Sequence, residues 1–177
     1  MSTLFKKNPE NLGRVINEVD PKNEWALTEG VATRKFDGTS CAIINGQLYK
    51  RFDLKKGRVL PEGAIPCQDA DEFTGHHPHW IPCLIGDNSN KYHYEAFNNL
   101  HEVLDGTYEL CGKKIQGNPE KIDGHELIPH GKEILNPKRT FQGLKSYLSL
   151  QDIEGIVFHH PDGRMCKIRK TDFGIKR

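Results

Sequence analysis

Long apolar runs are missing from this chain. No stretch approaches the roughly 20 residues that a bilayer-spanning helix needs. The opening Met1-Ser-Thr-Leu-Phe-Lys-Lys has no apolar core of the kind a secretory leader carries. Membrane insertion and secretion are therefore not expected, and an intracellular, cytoplasmic setting is. Net charge is nearly missing too: 25 Lys and Arg stand against 24 Asp and Glu, a formal +1. No global basic field advertises nonspecific nucleic-acid binding. Cysteine is scarce and unpaired in pattern. Cys41, Cys67, Cys83, Cys111 and Cys166 are scattered, odd in number and never in a C-x-x-C arrangement. A disulfide framework is not expected; reduced, buried thiols are. The chain also lacks repeats, low-complexity tracts and a recognisable linker.

What is present suits one soluble globular domain over residues 1–177. The length allows a real core, and 36% hydrophobic with 28% charged residues is an ordinary balance. The charge is uneven, however. Arg164, Lys167, Arg169, Lys170, Lys176 and Arg177 face only Asp172 between residues 164 and 177. That segment is either a phosphate-facing surface or a solvated basic tail.

The hydrophobic pattern predicts an α+β chain with helices flanking largely antiparallel sheets. Asn8 as N-cap, Pro9 at the first helical position and Leu12, Val15, Ile16 and Val19 at helical spacing predict an amphipathic helix. Strands are expected over Trp25–Lys35 and Cys41–Ile44. Asn45-Gly46 marks a hairpin turn into a partner strand, Gln47–Phe52. Residues 57–90, rich in Gly, Pro, His and Asp, read as a long irregular segment. A helix is expected over Tyr92–Leu104, then an Asp105-Gly106 turn and a strand over Thr107–Cys111. Further strands are expected over His125–Ile128, Ile153–His159 and Arg164–Lys170, the last two joined at Pro161-Asp162-Gly163. Between them, Thr140–Leu150 has helical spacing.

The chemistry concentrates around Arg34-Lys35-Phe36-Asp37-Gly38-Thr39-Ser40. A lysine ends a strand, and a tight Asp-Gly turn follows. Protonated lysine is a poor nucleophile, and nearby cations or desolvation free its lone pair. Arg34, Lys167 and Arg169 are the candidate cations. Taken alone, K-x-D-G reads as a surface lysine before a β-turn. The reading changes with the segments that follow in order. Tyr108-Glu109-Leu110-Cys111-Gly112 places a carboxylate beside a glycine, and Glu154-Gly155-Ile156-Val157-Phe158 brings a second carboxylate to an apolar strand. In Met165-Cys166-Lys167-Ile168-Arg169, strand alternation puts Lys167 and Arg169 on one face. Cations neutralise phosphate oxygens, and carboxylates hold a metal or a ribose hydroxyl.

This ordered set resembles the covalent nucleotidyltransferase superfamily of DNA ligases, RNA ligases and mRNA capping enzymes. Lys35-Phe-Asp37-Gly38 resembles motif I, with Lys35 as the adenylylated nucleophile. Arg51 resembles motif Ia, Glu109 motif III, Glu154 motif IV, and Lys167 with Arg169 motif V. Thr39-Ser40 after the glycine is similar to many RNA ligases, whereas DNA ligases and capping enzymes usually place an arginine there. The chain ends eight residues after Arg169, so a C-terminal OB domain with motif VI is not expected. The match is nearest to the small single-domain RNA ligases that include the vertebrate 5′-to-3′ RNA ligase and viral or phage relatives. Thr107-Tyr-Glu-Leu-Cys-Gly, Gly117-Asn118-Pro119, Thr74-Gly75-His76 with Pro78 and Trp80, and His125-Glu-Leu-Ile-Pro-His-Gly carry that narrower likeness.

The resemblance implies an ATP-grasp-like nucleotidyltransferase fold and ATP with Mg²⁺ (or Mn²⁺) as cofactors. The implied partner is RNA with 5′-phosphate and 3′-hydroxyl ends. Arg34, Asp37, Gly38, Arg51, Glu109, Glu154, Lys167 and Arg169 become nucleotide-binding candidates, with Lys35 and Lys167 catalytic and Glu154 and Glu109 metal ligands. Arg51, Lys55, Lys56 and the C-terminal basic strand are the expected RNA-phosphate contacts. The rival readings are a capping-type or DNA-ligase enzyme of the superfamily, and a noncatalytic RNA-end-binding module of the same fold. Oligomeric state stays open. Cys67, His76, His77, His79 and Cys83 match no standard zinc spacing and read as a loop around Trp80. His125 and His130 are either phosphate or 3′-end contacts, or turn and core residues. Trp25 reads as core, and the residue that would stack on adenine is not identified.

Overall fold

The chain is built of short strands, and among the described residues the sheets are antiparallel apart from one pairing. The computed structural model describes residues 1–54, 59–70 and 75–177. Strands and helices are numbered in chain order. The first part runs β1 (Ser2–Thr3), β2 (Phe5–Asn8), β3 (Asn11–Val19), a 3-10 helix (Pro21–Leu27) and β4 (Val31–Lys35). The middle runs β5 (Thr39–Ile44), β6 (Gln47–Leu54), β7 (Ile65–Pro66), β8 (His77–Pro82), α1 (Lys91–Asn98), β9 (Gly106–Gly112) and β10 (His125–Pro129). The last part runs β11 (Ile134–Leu135), α2 (Phe141–Leu150), β12 (Gly155–His159) and β13 (Met165–Arg169). The result is α+β. Two compact units emerge, residues 1–36 with 131–177, and residues 37–130.

The first unit holds a five-stranded sheet in the order β1-β13-β12-β4-β11, parallel only between β1 and β13, and the β2–β3 hairpin. Leu4, Phe5, Ala26, Leu144, Leu148, Ile156, Phe158 and Ile168 form its core, all at most 2% exposed. The second unit holds a six-stranded sheet in the order β10-β9-β5-β6-β8-β7. Cys41, Ile43, Leu48, Tyr108, Leu110 and Leu127 pack there with Ala96 of α1. Asn45 in the β5–β6 turn takes a positive φ of 51°, as a type I′ turn demands. The Asp105 carboxylate accepts the Asn45 and Gly46 amides at 2.7 and 2.9 Å and locks that turn. Thr140 caps α2 by accepting the Gly143 amide. Cys41, Cys83, Cys111 and Cys166 are buried thiols, and Cys67 is half-buried.

Several elements differ from the sequence expectation. The helix expected from Asn8 is instead the β2–β3 hairpin. The Asn8 side chain accepts the Glu10 amide at 2.9 Å and closes a local turn. Of the apolar set only Val15 is buried, while Leu12 is 72% exposed, so a helical stripe would have had no core to face. Trp25 belongs to a 3-10 helix rather than a strand. Asp20 caps it at the Lys22 amide, and Arg139 ties Ala26 O and Gly30 O at 3.1 and 2.8 Å. Trp25 itself is core. The stretch 57–90 is not wholly irregular, since β8 pairs with six residues of β6 and β7 pairs with β8. The first α-helix stops at Asn98, where Asn99 and Leu100 close it with i−3 bonds. Lys55, Lys56 and Thr74 lie outside the described residues. Among the described residues, no helix is long and apolar enough to cross a membrane.

Candidate active site

In the first unit the site is built on one row of the five-stranded sheet. Lys35 of β4 pairs with Gly155 of β12, which pairs with Arg169 of β13. The next row on that face is Thr33, Val157 and Lys167. Cys166 and Ile168 turn the other way and are fully buried, so alternation directs Lys167 and Arg169 to the face of Lys35. Gly155 keeps the middle of the row bare. A Cβ there would lie 2.4 Å from the Ile168 carbonyl oxygen, so no other residue fits without moving β13. Glu154 immediately precedes this glycine, and its carboxylate hydrogen-bonds the Lys35 ammonium. Both side chains keep about a fifth of their surface in solvent, at 22% and 19%.

The charges here are deliberately unbalanced. Burial, then the neighbouring cations Arg169 and Lys35, push the Lys167 ammonium down to about 8, against the opposing pull of Glu154 and Asp172. Arg169 is held from behind. Its Nε and Nη2 donate to Asp172 at 3.2 and 3.0 Å, and its backbone amide adds a bond at 2.9 Å. Lys7 Nζ completes the set at 2.7 Å. Asp172 is fully buried. Burial pulls its carboxyl upward, but the bonds from Arg169 and Lys7 outweigh that and leave it below the usual carboxylate range. Sequence reasoning had Asp172 only as the lone acid in a basic segment; its partner Lys7 lies 165 residues away. Arg34 does not join this group. It points to the other side of β4, where Nη1 meets Glu133 at 3.2 Å and the guanidinium lies 4.6 Å from the centre of the Phe36 ring.

The second unit gathers a different set. The Glu109 side chain on β9 is 9% exposed. Its Oε1 accepts the Gly38 amide at 3.1 Å. Its Oε2 accepts the Ser40 hydroxyl at 3.2 Å and lies 2.9 Å from His130 Nε2. Gly38 is forced by close approach, since a Cβ would stand 2.2 Å from the Leu110 carbonyl oxygen. The Asp37 amide donates to Glu120 Oε1 at 2.9 Å. The register Thr107–Ala42–Tyr49 fixes one sheet face, and alternation puts Glu109, Ser40 and Arg51 on that same face. Arg51 stands opposite Trp80 and donates to Asp53 at 2.9 Å. His125 is buried, with Nδ1 2.9 Å from Glu95 and Nε2 accepting the Lys114 amide at 3.2 Å. With its ring stacked 4.3 Å from Tyr92, it is structural.

Thus Lys35, Glu154, Lys167 and Arg169 converge in the first unit. Asp37, Gly38, Arg51 and Glu109 belong to the second. The cations of the first set suit phosphate oxygens, and the carboxylate of the second suits a hydroxyl donor. Comparison with known proteins gives the family. Residues 84–177, more than half the chain, match the model of the RNA ligase 1 family. RNA ligase 1 of Mus musculus is 26% identical over 219 residues, covering 82% of this chain and 67% of the mouse protein. RNA ligase 1 of Danio rerio is 30% identical over 162 residues, covering 71% of this chain and 48% of the zebrafish protein. The chain thus spans about two thirds of the one relative and about half of the other. With Glu109, Glu154, Lys167 and Arg169 all inside the matched region, the chain belongs to the RNA ligase 1 family.

Proposed function

We propose that this chain is an ATP-dependent RNA ligase that joins 5′-phosphate and 3′-hydroxyl RNA ends through a Lys35–AMP intermediate. The observation that carries this reading is the Lys35–Gly155–Arg169 row with Lys167 and Glu154 beside it. Lys35 Nζ attacks the α-phosphorus of ATP. A nitrogen–phosphorus bond forms, the bond to the pyrophosphate oxygen breaks, and pyrophosphate leaves with the electron pair. The ammonium proton first passes to the Glu154 carboxylate that already accepts it, which frees the lone pair for this attack, and the proton shed by the new nitrogen–phosphorus linkage leaves with the pyrophosphate. Lys167 and Arg169 face the phosphate oxygens, and preorganised donors of this kind contribute about 3–4 kcal/mol each. Glu109 holds a ribose hydroxyl.

Mg²⁺ or Mn²⁺ fits this donor set at Glu154. Such ions are commonly held by one or two carboxylates with substrate phosphates and water, and the Glu154 carboxylate stands partly exposed beside the cations. Glu109 fits a metal less well, because Gly38, Ser40 and His130 already point hydrogens at it. A bound ion would supply further neutralisation of phosphate charge. AMP then passes from Lys35 to an RNA 5′-phosphate as the nitrogen–phosphorus bond breaks, giving a 5′-to-5′ pyrophosphate. An RNA 3′-hydroxyl attacks the 5′-phosphate, forms the phosphodiester and expels AMP. Phosphates of the RNA are met by Arg51, the basic β13 strand and Lys55-Lys56, so binding weakens with salt.

The test is incubation with labelled ATP and Mg²⁺, read by denaturing gel and intact mass, with Lys35→Ala alongside. A gain of one AMP on the wild type alone supports the reading. An undiminished adduct on Lys35→Ala removes Lys35 as nucleophile. An adduct with GTP and none with ATP points to capping-type chemistry. No adduct with either, before or after pyrophosphate treatment, leaves a noncatalytic end-binding module.

A further inference from the structure

We infer that His130 is the positioning residue that orients Glu109 toward a ribose hydroxyl, and so sets the preference for ribonucleotide over deoxyribonucleotide. The inference rests on the ligase reading above.

His130 follows β10 directly. Its backbone amide donates to the Thr107 carbonyl at 3.0 Å, which extends the β9–β10 register by one residue and places His130 opposite Thr107. Cross-strand neighbours lie close enough for direct contact, and the diagonal neighbour is within reach of a long side chain. The imidazole uses both distances. Nδ1 is 3.0 Å from the Thr107 hydroxyl directly opposite, and Nε2 is 2.9 Å from Glu109 Oε2 on the diagonal. A carboxylate only accepts, so Nε2 carries the hydrogen, and in the neutral ring Nδ1 accepts from the Thr107 hydroxyl. Thr107 thereby selects the ring orientation, and the ring selects the carboxylate orientation.

The acceptor count then identifies what Glu109 has left to offer. A carboxylate offers about four acceptor positions. Oε2 takes two donors, Ser40 and His130, one from each flank of β9, while Oε1 takes the Gly38 amide. Among the described residues, one position on Oε1 remains. It suits a neutral O–H donor, and its direction is set by the donors that clamp Oε2. Without His130, the carboxylate keeps Ser40 and Gly38 but can rotate, so a hydroxyl gains less from it. A deoxynucleotide has no such bond to lose. The loss therefore falls on the ratio between the two nucleotides rather than on both alike.

The experiment measures kcat/KM for Lys35 adenylylation with ATP, 2′-deoxy-ATP and 3′-deoxy-ATP, with a thermal melt for every variant. The wild type is expected to disfavour at least one deoxy analogue. His130→Ala narrows that preference about tenfold, the scale of one hydrogen bond to a charged group. His130→Gln retains most of it, because the amide still donates. Thr107→Val, at an exposed strand position, narrows it about threefold while leaving the imidazole in place. Equal losses on all three nucleotides in His130→Ala and Thr107→Val, with the ratio preserved, would overturn the inference. A preference that collapses in Glu109→Gln but survives both of those variants overturns the role of His130 alone. A preference untouched in Glu109→Gln overturns the ribose role of Glu109. Absence of any wild-type adduct overturns the ligase reading itself.

Discussion

Replacing Lys167 with methionine should stabilise the protein and, on the ligase reading proposed above, abolish the AMP adduct. The drop of the Lys167 ammonium from 10.5 to about 8 means that the folded chain carries this charge at roughly 3 kcal/mol of disadvantage at neutral pH. The side chain is only partly buried, so solvent screening reduces that to roughly 1–2 kcal/mol. Methionine keeps the length of the apolar stem and deletes the charge. The sign also fixes the pH profile. Between about 8 and 10.5 the unfolded chain binds more protons at this position than the folded chain, so wild-type stability from this group rises with pH across that window. The methionine variant has no such gain. Its advantage should be full at pH 7, shrink above pH 8 and vanish near pH 10.5. Urea unfolding at a series of pH values measures it, as a shift in midpoint at constant slope. A variant less stable than wild type at pH 7, or an advantage that stays constant up to pH 10, would refute the reasoning.

Three further outcomes follow from named contacts. Asp172→Asn leaves Arg169 and Lys7 without their buried carboxylate and should lower stability by about 3 kcal/mol, read as a fall in melting temperature. Leu12→Lys, at a position 72% exposed on the hairpin, should change stability by less than about 0.5 kcal/mol; a large loss would restore the helical reading of residues 8–19. His93 is buried, and neither ring nitrogen has a hydrogen-bond partner among the described residues. Burial, helped by Lys50, holds its pKa down to about 4 against 6.5. Stability from this group is therefore lost as pH falls from 6.5 toward 4. His93→Leu should flatten that acid limb in denaturant titrations.

The legible parts of the sequence were those whose cause is local. Asn45-Gly46 announced its hairpin because the turn's own φ values demand those residues. Lys167 and Arg169 announced a shared face because alternation in a strand needs no partner. Residues 8–19 misled because Leu12, Val15, Ile16 and Val19 satisfy helical spacing, while register shifts in the β2–β3 pairing erase the period of two. β8 was hidden by composition, since its His and Pro residues are poor strand signals, yet Trp80 and Ile81 fall into register with β6 and make it a strand. The passage from one unit to the other at Phe36–Asp37 runs inside the Lys35–Gly38 segment, so no change of composition marks it. Asp172 and His130 were illegible for a further reason. Each acts through a partner supplied by the fold, Lys7 in one case and the Thr107–Glu109 strand in the other.

The charged groups of the two units share a physical logic. Lys35, Lys167 and Arg169 crowd positive charge onto one face, with Glu154 and Asp172 as the acids that oppose it. A fold shaped for stability alone would replace Lys167 by an apolar residue. The crowding is useful only when an anion arrives, because the repulsion among these cations turns into attraction for phosphate oxygens faced by fixed donors. Glu109 is the mirror case: a residue 7% exposed, whose carboxylate accepts three donors among the described residues and keeps one acceptor position. Buried groups with capacity left over are where local rules and global stability part company. Taken unit by unit, the cation row of the first has capacity for negative charge, and the Glu109 clamp of the second has capacity for one more hydrogen-bond donor.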